Sequence, residues 1–248
     1  TMKSYNNWPA GFRKGNLSFE GGVFDGRYIW MIPANADSVV RIDKDSGVMT
    51  EFSNWPPDFK KGGHAFAGGV FDGQYVWMIP SYAESVVKVE ASTGVMTAYN
   101  NWPASFKKGG YAFAGGVFDG QYIWMIPANA DSVVKIDKDT GVMTEYNNWP
   151  SEFKKGSHAF AGGVFDGKRV WMIPYYADRV IAIDSKTGDM KWYHQRPSEF
   201  TNVEYAFTGG VFDGENVWLI PLNADSIVRI STTTGSITSL KNWPVNFS

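Results

Sequence analysis

The sequence contains no cysteine, which excludes disulfide bonds and thiolate metal sites. It also lacks any apolar run of about 20 residues, the length that a helix needs to cross a bilayer. Its first residues, Thr1 to Ser4, do not resemble the apolar part of a signal peptide. The formal net charge is only −2, so neither nucleic acid nor an anionic membrane is expected as a partner. The cellular compartment stays open.

Aromatic residues and glycine are plentiful instead. The chain has 11 Trp, 12 Tyr and 17 Phe, and each ring can bury about 150–250 Å². A large apolar core is therefore available. The 27 Gly and 12 Pro are spread evenly, which favours many short strands and tight turns over helices.

One unit of 47 residues is repeated five times without insertion or deletion. The tetrapeptide Val-Phe-Asp-Gly recurs at this spacing, with its aspartates at Asp25, Asp72, Asp119, Asp166 and Asp213. A tryptophan follows five residues later in every unit, at Trp30, Trp77, Trp124, Trp171 and Trp218. A period in this range is typical of propellers and solenoids. No linker-like segment separates the units, so a single domain over residues 1–248 is predicted.

Each unit is predicted to fold as four short antiparallel strands, the blade of a propeller. In the second unit these strands span about 65–71, 75–79, 85–90 and 95–99, and Asp72-Gly73 forms the first turn. The fold class is all-β, a five-bladed β-propeller. The blades are expected at about 16–62, 63–109, 110–156, 157–203 and 204–248, after an N-terminal closure segment over 1–15.

Two adjacent glycines lie in the innermost strand of every unit. They are Gly21-Gly22, Gly68-Gly69, Gly115-Gly116, Gly162-Gly163 and Gly209-Gly210. The inner strands of a closed five-membered ring approach closely, and only glycine lacks the Cβ that would clash. The alternative is that the pairs mark bulges in a parallel β-solenoid. Solenoid coils usually repeat at shorter periods, so the propeller is favoured.

The repeat resembles that of streptogramin B lyase and its propeller relatives. The likeness rests on Asp119-Gly-Gln-Tyr-Ile-Trp and on Val133-Val-Lys-Ile-Asp-Lys-Asp-Thr-Gly-Val-Met-Thr-Glu-Tyr, and it covers every unit. The resemblance implies the propeller fold. It does not carry over the activity, because such lyases use a magnesium ion with histidine and acidic residues at the centre of one face. None of the three His here matches that site.

A second resemblance concerns blade number and period. Five blades of 47 residues without disulfides are similar to the tachylectin-type lectins, whose pockets between blades bind amino sugars. The Asn-Asn-Trp element followed by lysine and paired glycine also resembles that family, although its place in the blade differs. The resemblance implies a function class, carbohydrate binding.

Candidate ligand-binding residues gather in two sets of loops that share one face of a propeller. Aromatic rings stack on sugar faces, while amide, carboxylate and ammonium groups hold hydroxyls. The candidates are Asn35, Asp37, Trp55, Lys61, Tyr82, Trp102, Lys108, Asn129, Trp149, Tyr175, Tyr176 and Asn223. The alternative for each tryptophan is that it only packs one blade against the next. The variable tyrosines are better candidates than the repeated residues.

Five equivalent residues just before the innermost strands are expected to line the channel mouth. They are Leu17, His64, Tyr111, His158 and Tyr205. Histidines on alternate blades would lie too far apart for the first shell of one ion. Plugging of the entrance is therefore favoured over metal binding, and no metal or cofactor is predicted.

Near-identical blades favour repeated binding over catalysis, which needs different residues in different roles. We expect a non-enzymatic, multivalent, lectin-like binding protein, monomeric, with carbohydrate or a protein as its partner. The alternatives are a protein-interaction scaffold and an engineered or recently amplified array without a selected ligand.

The two ends of the chain duplicate one another. Residues 2–12 match residues 237–247, so both segments compete for the outer strand of the last blade. The C-terminal strand closes the smaller loop and is predicted to win. Residues 1–7 would then be frayed or paired with another molecule, while 8–15 lead into the first blade.

Overall fold

The computed structural model describes residues 2–193, 204–241, 243 and 244. It contains twenty strands in five antiparallel sheets of four. Blade 1 consists of β1 (Phe19–Phe24), β2 (Tyr28–Pro33), β3 (Val39–Asp43) and β4 (Met49–Phe52). Blade 2 consists of β5 (Phe66–Phe71), β6 (Tyr75–Pro80), β7 (Val86–Glu90) and β8 (Met96–Tyr99). Blade 3 consists of β9 (Phe113–Phe118), β10 (Tyr122–Pro127), β11 (Val133–Asp137) and β12 (Met143–Tyr146).

The last two sheets repeat this order. Blade 4 consists of β13 (Phe160–Phe165), β14 (Arg169–Pro174), β15 (Val180–Asp184) and β16 (Met190–Tyr193). Blade 5 consists of β17 (Phe207–Phe212), β18 (Asn216–Pro221), β19 (Ile227–Ser231) and β20 (Ile237–Leu240). The predicted five-bladed β-propeller fold, with four strands per blade, is confirmed. In the part of the chain that the structure describes, no helix is long and apolar enough to cross a membrane.

The repeated Asp-Gly turn fixes the tryptophan of each blade. In blade 3, Asp119 Oδ1 accepts the backbone N–H groups of Gln121 and Tyr122 at 2.9 and 2.7 Å. Its Oδ2 accepts the indole N–H of Trp124 at 2.7 Å, which satisfies the polar atom of a fully buried ring. The other four blades repeat this bond at 2.6–2.8 Å.

Neighbouring blades meet through an isoleucine and a glycine. A Cβ added at Gly116 would lie 2.7 Å from Ile79 Cδ1 of the preceding blade, so only glycine admits that side chain. A backbone bond of 2.9 Å from Ala112 N–H to the Ser81 carbonyl joins the same two blades. The isoleucine contact recurs at Ile32–Gly69, Ile126–Gly163 and Ile173–Gly210. Four junctions of one design therefore hold the five blades together.

No fifth junction of this kind is formed between blades 5 and 1 in the described residues. The innermost strands of consecutive blades pack together from β1 to β17, but β17 and β1 form no comparable contact. Ile220, which corresponds to Ile79, is 41% exposed, and no neighbouring atom lies within 4 Å of the Cβ position of Gly209. The expected closed ring is thus an open arc. The reason is that the four formed junctions fix the angle between blades.

The competition between the two ends has a clear outcome. The C-terminal strand β20 forms the outer edge of blade 5, as predicted, and pairs with β19. The N-terminal segment lies on blade 1, where Trp8 stacks on Phe12 with ring centres 5.1 Å apart. Tyr5 packs directly over Gly47. The expectation that residues 1–7 are frayed is wrong for Tyr5, which takes the place that Phe52 takes over Gly94 in the next blade.

Candidate functional site

The five residues at the predicted channel mouth share an unusual backbone conformation. Leu17, His64, Tyr111, His158 and Tyr205 have φ values between 46° and 57°. Residues other than glycine seldom adopt this left-handed region, at a cost of roughly 1–2 kcal/mol per residue. Each blade therefore needs specific contacts to hold this residue, and such strained positions often occur at functional sites.

Two kinds of contact hold four of these residues, His64, Tyr111, His158 and Tyr205, and they alternate along the chain. In the first kind, the side-chain oxygen of Asn35 accepts the backbone N–H of His64 at 2.8 Å, and Asn129 does the same for His158 at 2.7 Å. In the second kind a tyrosine replaces the asparagine. The rings of Tyr82 and Tyr111 meet edge to face at 4.5 Å, and Tyr176 meets Tyr205 at the same distance. We call these Asn–His and Tyr–Tyr junctions.

Together the two kinds of junction build a continuous row of rings, which we call the aromatic belt. Its members are His64, Tyr82, Tyr111, His158, Tyr175, Tyr176 and Tyr205, with neighbouring ring centres 4.5–6.3 Å apart. The loop tyrosines and the channel-mouth residues, predicted as separate sets, thus form one surface. Tyr82 is 45% exposed, so its ring is not buried between blades.

Two tyrosines of the belt, Tyr175 and Tyr176, remain protonated well above neutral pH. A hydrogen bond with Tyr205, together with partial burial, raises the pKa of Tyr176 to about 12. Burial and the nearby Tyr205 also raise the pKa of Tyr175. Their hydroxyl groups can therefore donate hydrogen bonds to a ligand at physiological pH.

The three candidate tryptophans have structural contacts. Trp102 packs against Phe106 and stacks on Phe113, with ring centres 5.0 and 6.0 Å apart, and its indole N–H donates to the Glu84 carbonyl at 2.8 Å. Trp55 and Trp149 make the same contacts with the carbonyls of Asp37 and Asp131. Each ring is half-buried. The tryptophans therefore join one blade to the loop of the preceding one.

The lysines of the same loop donate to backbone carbonyls. Lys61 Nζ lies 2.8 Å from the carbonyls of both Ala34 and Gly62, and Lys108 reaches the Ser81 carbonyl at 3.2 Å. Burial lowers the pKa of both lysines. Their equivalent Lys155, absent from the predicted set, is affected most, and burial lowers its pKa to about 8 although Asp131 opposes the shift.

A groove between blades 2 and 3 brings three predicted residues together. It has a volume of about 600 Å³ and is lined by Tyr82, Trp102 and Lys108, with Glu84 and Asn100. An aromatic face, an amide, a carboxylate and an ammonium group thus surround one open space. Asn223 lies at the end of the arc, where its side-chain N–H donates to the Glu204 carbonyl at 3.1 Å.

A central cavity of about 340 Å³ lies beneath the belt. Tyr111, His158 and Tyr175 line it, together with Glu20. Partial burial raises the pKa of Glu20, and nearby His64 opposes this shift. The repeat places only Ala67, Ala114, Ala161 and Thr208 at the equivalent positions, so this carboxyl group occurs in a single blade. Sequence reasoning missed Glu20, although a comparison of the five units position by position distinguishes it.

The histidines of the belt do not form a metal centre. The ring of Tyr111 lies between His64 and His158, 6.0 and 5.8 Å from them. Across the described ranges, no three His, Cys, Asp or Glu side chains are grouped closely enough to hold a metal ion.

Comparison with known proteins identifies the fold. No family model matches the chain, and no curated protein matches it. Among solved structures, virginiamycin B lyase from Staphylococcus aureus superposes with a TM-score of 0.66 at 20% identity, covering 90% of this chain and 70% of the lyase. A streptogramin B lyase gives 0.65 at 21%, covering 90% and 68%. A chain of a nidogen–laminin complex gives 0.60 at 11%, covering 89% and 78%. The likeness of the repeat to streptogramin B lyases is thus confirmed for the fold.

The prediction that the protein is not an enzyme is wrong as stated. Two of the solved structures that it resembles are lyases, which are enzymes. The prediction relied on the similarity of the five blades, and Glu20 breaks that similarity at the central cavity. The comparisons establish a propeller scaffold.

Proposed function

We propose that the aromatic belt binds carbohydrate, with one site at each of its two Tyr–Tyr junctions. The observation that carries the proposal is the exposed edge-to-face pair of Tyr82 and Tyr111 beside the groove that contains Lys108 and Glu84. An exposed ring flanked by hydrogen-bonding groups suits the apolar face and the hydroxyls of a sugar. Tyr176 and Tyr205 repeat the pair two blades away.

Two linked sites support multivalent recognition. A single open groove offers few contacts and should bind one sugar residue weakly. When both sites engage a branched or surface-bound glycan, the second binding event becomes intramolecular, and the apparent affinity rises by about 10²–10⁴-fold. Branched or clustered glycans are therefore the preferred ligand class.

The chain itself supplies substitutions that test this proposal without disturbing the fold. The double variant Tyr82→Asn/Tyr111→His converts one Tyr–Tyr junction into the Asn–His type already present at Asn35 and His64. We expect this variant to lose at least about 100-fold in apparent affinity for clustered glycans, because one of two linked sites is removed. A glycan array followed by titration on an immobilised glycan measures the change.

The reciprocal variant is the matched control. Asn35→Tyr/His64→Tyr creates a third Tyr–Tyr junction and is expected to raise the apparent affinity, while thermal unfolding of both variants stays near that of the unmodified chain. If no glycan gives a specific signal, or if the Tyr82→Asn/Tyr111→His variant binds as well as the unmodified chain, the proposal fails. If the reciprocal variant binds the glycan no better than the unmodified chain does, the binding site lies elsewhere.

A further inference from the structure

We infer that the two open ends of the arc form an interface between two copies of this chain, with blade 5 of one copy packed on blade 1 of another. This inference is independent of the proposed carbohydrate site. It goes beyond the monomer expected from the sequence. The basis is that each end presents one half of the junction that already joins the blades within the chain.

Blade 5 presents the half that carries the isoleucine. Ile220 is 41% exposed, whereas Ile32, Ile79, Ile126 and Ile173 are fully buried. Trp218 is only half-buried, while its four equivalents are fully buried. Val211 is exposed as well. Contiguous exposed apolar surface of this kind usually marks an interaction site.

Blade 1 presents the half that carries the glycine. No isoleucine lies within 4 Å of the Cβ position of Gly22, where the other blades receive one. Ile29 is 42% exposed, whereas the equivalent Val76, Ile123, Val170 and Val217 are fully buried. Phe24 is exposed beside it. A shape that accepts an isoleucine is therefore open at this end.

Polar groups at the two ends match in the same way. Each formed junction has a backbone bond such as Ala206 N–H to the Tyr175 carbonyl at 3.0 Å. The fifth such bond would run from Ser18 N–H to the Leu222 carbonyl, and it is not formed among the described residues. Asn223 is equivalent to Asn35 and Asn129, whose side-chain oxygens accept a backbone N–H of the next blade. At the fifth junction the corresponding donor would be the backbone N–H of Leu17. Both apolar and polar halves are thus complementary.

Closure within one chain is disfavoured by the contacts that already exist. A Cβ at Gly21 would lie 2.9 Å from the Cα of Gly68, and one at Gly116 would lie 2.7 Å from Ile79. At the three junctions that join blades 1 to 4, the inner and middle parts are therefore both at packing distance, which fixes the angle between those blades. Bringing β17 onto β1 would require these packed junctions to change, whereas a second copy can approach without altering them.

The interface is head to tail, because the two surfaces differ. Such an interface leaves one surface of each kind open after two copies associate, so association either continues or ends in a ring. The N-terminal segment limits this association. Tyr5 of the receiving copy already covers Gly47, where Leu240 of the incoming blade would lie.

Sedimentation over a range of concentrations tests the inference with the full chain. The unmodified chain is expected to associate with increasing concentration. Ile220→Asp, at a position that is already exposed, is expected to weaken association at least tenfold, about 1.4 kcal/mol. Val142→Asp, at an exposed valine in the β11–β12 turn, is the matched control and should associate as the unmodified chain does. A chain that sediments as a monomer at every concentration overturns the inference.

Cross-linking distinguishes the two ways of filling the ends, since the chain has no cysteine of its own. Chains with Ile220→Cys are mixed with chains with Gly22→Cys and treated with a short bifunctional thiol reagent. Covalent dimers that form only in the mixture support the head-to-tail interface. Cross-linking within single chains that carry both substitutions, with no dimer in the mixture, would show closure inside one molecule and overturn the inference. Dimers from Ile220→Cys alone would overturn it too.

Discussion

On the face that carries the aromatic belt, a single lysine side chain joins two loops. Lys155 Nζ lies 2.8 Å from the Ala128 carbonyl and 2.9 Å from that of Gly156, so one ammonium group joins two loops. Burial makes the charged form costly and lowers its pKa to about 8. The lysines predicted as ligand groups thus also link backbone segments, as the tryptophans do.

The lowered pKa of Lys155 predicts a pH dependence of stability. Between pH 8 and the ordinary lysine pKa, the unfolded chain binds more protons than the folded one, so stability rises with pH in this window. The contribution of Lys155 to stability does not change with pH below pH 8, where this lysine is protonated in both the folded and the unfolded state. Above about pH 10 the raised tyrosine pKa values reverse the trend, because the unfolded chain then loses protons first.

The measurement is denaturant unfolding from pH 7.5 to 9.5. The unmodified chain should gain roughly 1 kcal/mol relative to Lys155→Met, a value reduced for the solvent exposure of the group. The adjacent exposed Lys154→Met is the control and should keep the slope of the unmodified chain. Parallel slopes for all three chains would show that Lys155 titrates normally.

At the scale of strands, a glycine at the same position of the repeat has different surroundings in different blades. Gly116 and Gly22 occupy equivalent positions, but Gly116 meets Ile79 of the preceding blade and Gly22 meets only the Trp30 carbonyl at 3.4 Å. The difference arises because, among the described residues, no blade packs against this side of blade 1. Matched substitutions can therefore report on each junction separately.

Gly116→Ala should destabilise the protein and Gly22→Ala should not. The added methyl group at Gly116 would lie 2.7 Å from Ile79 Cδ1 and 3.0 Å from the Trp124 carbonyl. Such overpacking costs about 1–3 kcal/mol, or about 2–4 °C in Tm per kcal/mol for a chain of this size. At Gly22 the change should stay within about 0.5 kcal/mol. Thermal unfolding measures both, and an equal loss of Tm would indicate a fifth junction.

The strands follow closely from the sequence because their signals are local. The second strand of the second unit was predicted over 75–79 and spans Tyr75–Pro80. Its end is set by proline, which cannot donate to the ladder. The left-handed backbone at His64 was not predicted, because the equivalent positions carry Leu17, Tyr111 and Tyr205, which are not residue types that favour this region. There the stabilising group, Asn35, lies in another blade, 29 residues away.

At the scale of the whole molecule, the open arc escaped prediction because five matching units look able to close. Whether they close depends on the angle at each junction, and that angle results from side-chain sizes such as those at Ile79 and Gly116. The aromatic belt has the same origin. Its tyrosines are visible in the sequence as departures from the repeat, but their contacts with the next blade depend on how the blades pack.

An open arc should also be least stable at its ends. Units that contact only their neighbours behave as a linear array, in which the central units are held from both sides. Strands β2 and β10 test this directly, because both read Tyr-Ile-Trp-Met-Ile-Pro and so have the same intrinsic exchange rates within the strand. β10 lies in the central blade, and β2 lies at one end. We expect amide hydrogens of β10 to exchange at least about tenfold more slowly than those of β2, a difference of about 1.4 kcal/mol in opening free energy. The experiment is done on Ile220→Asp, so that association does not cover the end of blade 1. Equal protection of the two strands would mean that blade 1 is held as firmly as blade 3, which would contradict an open arc.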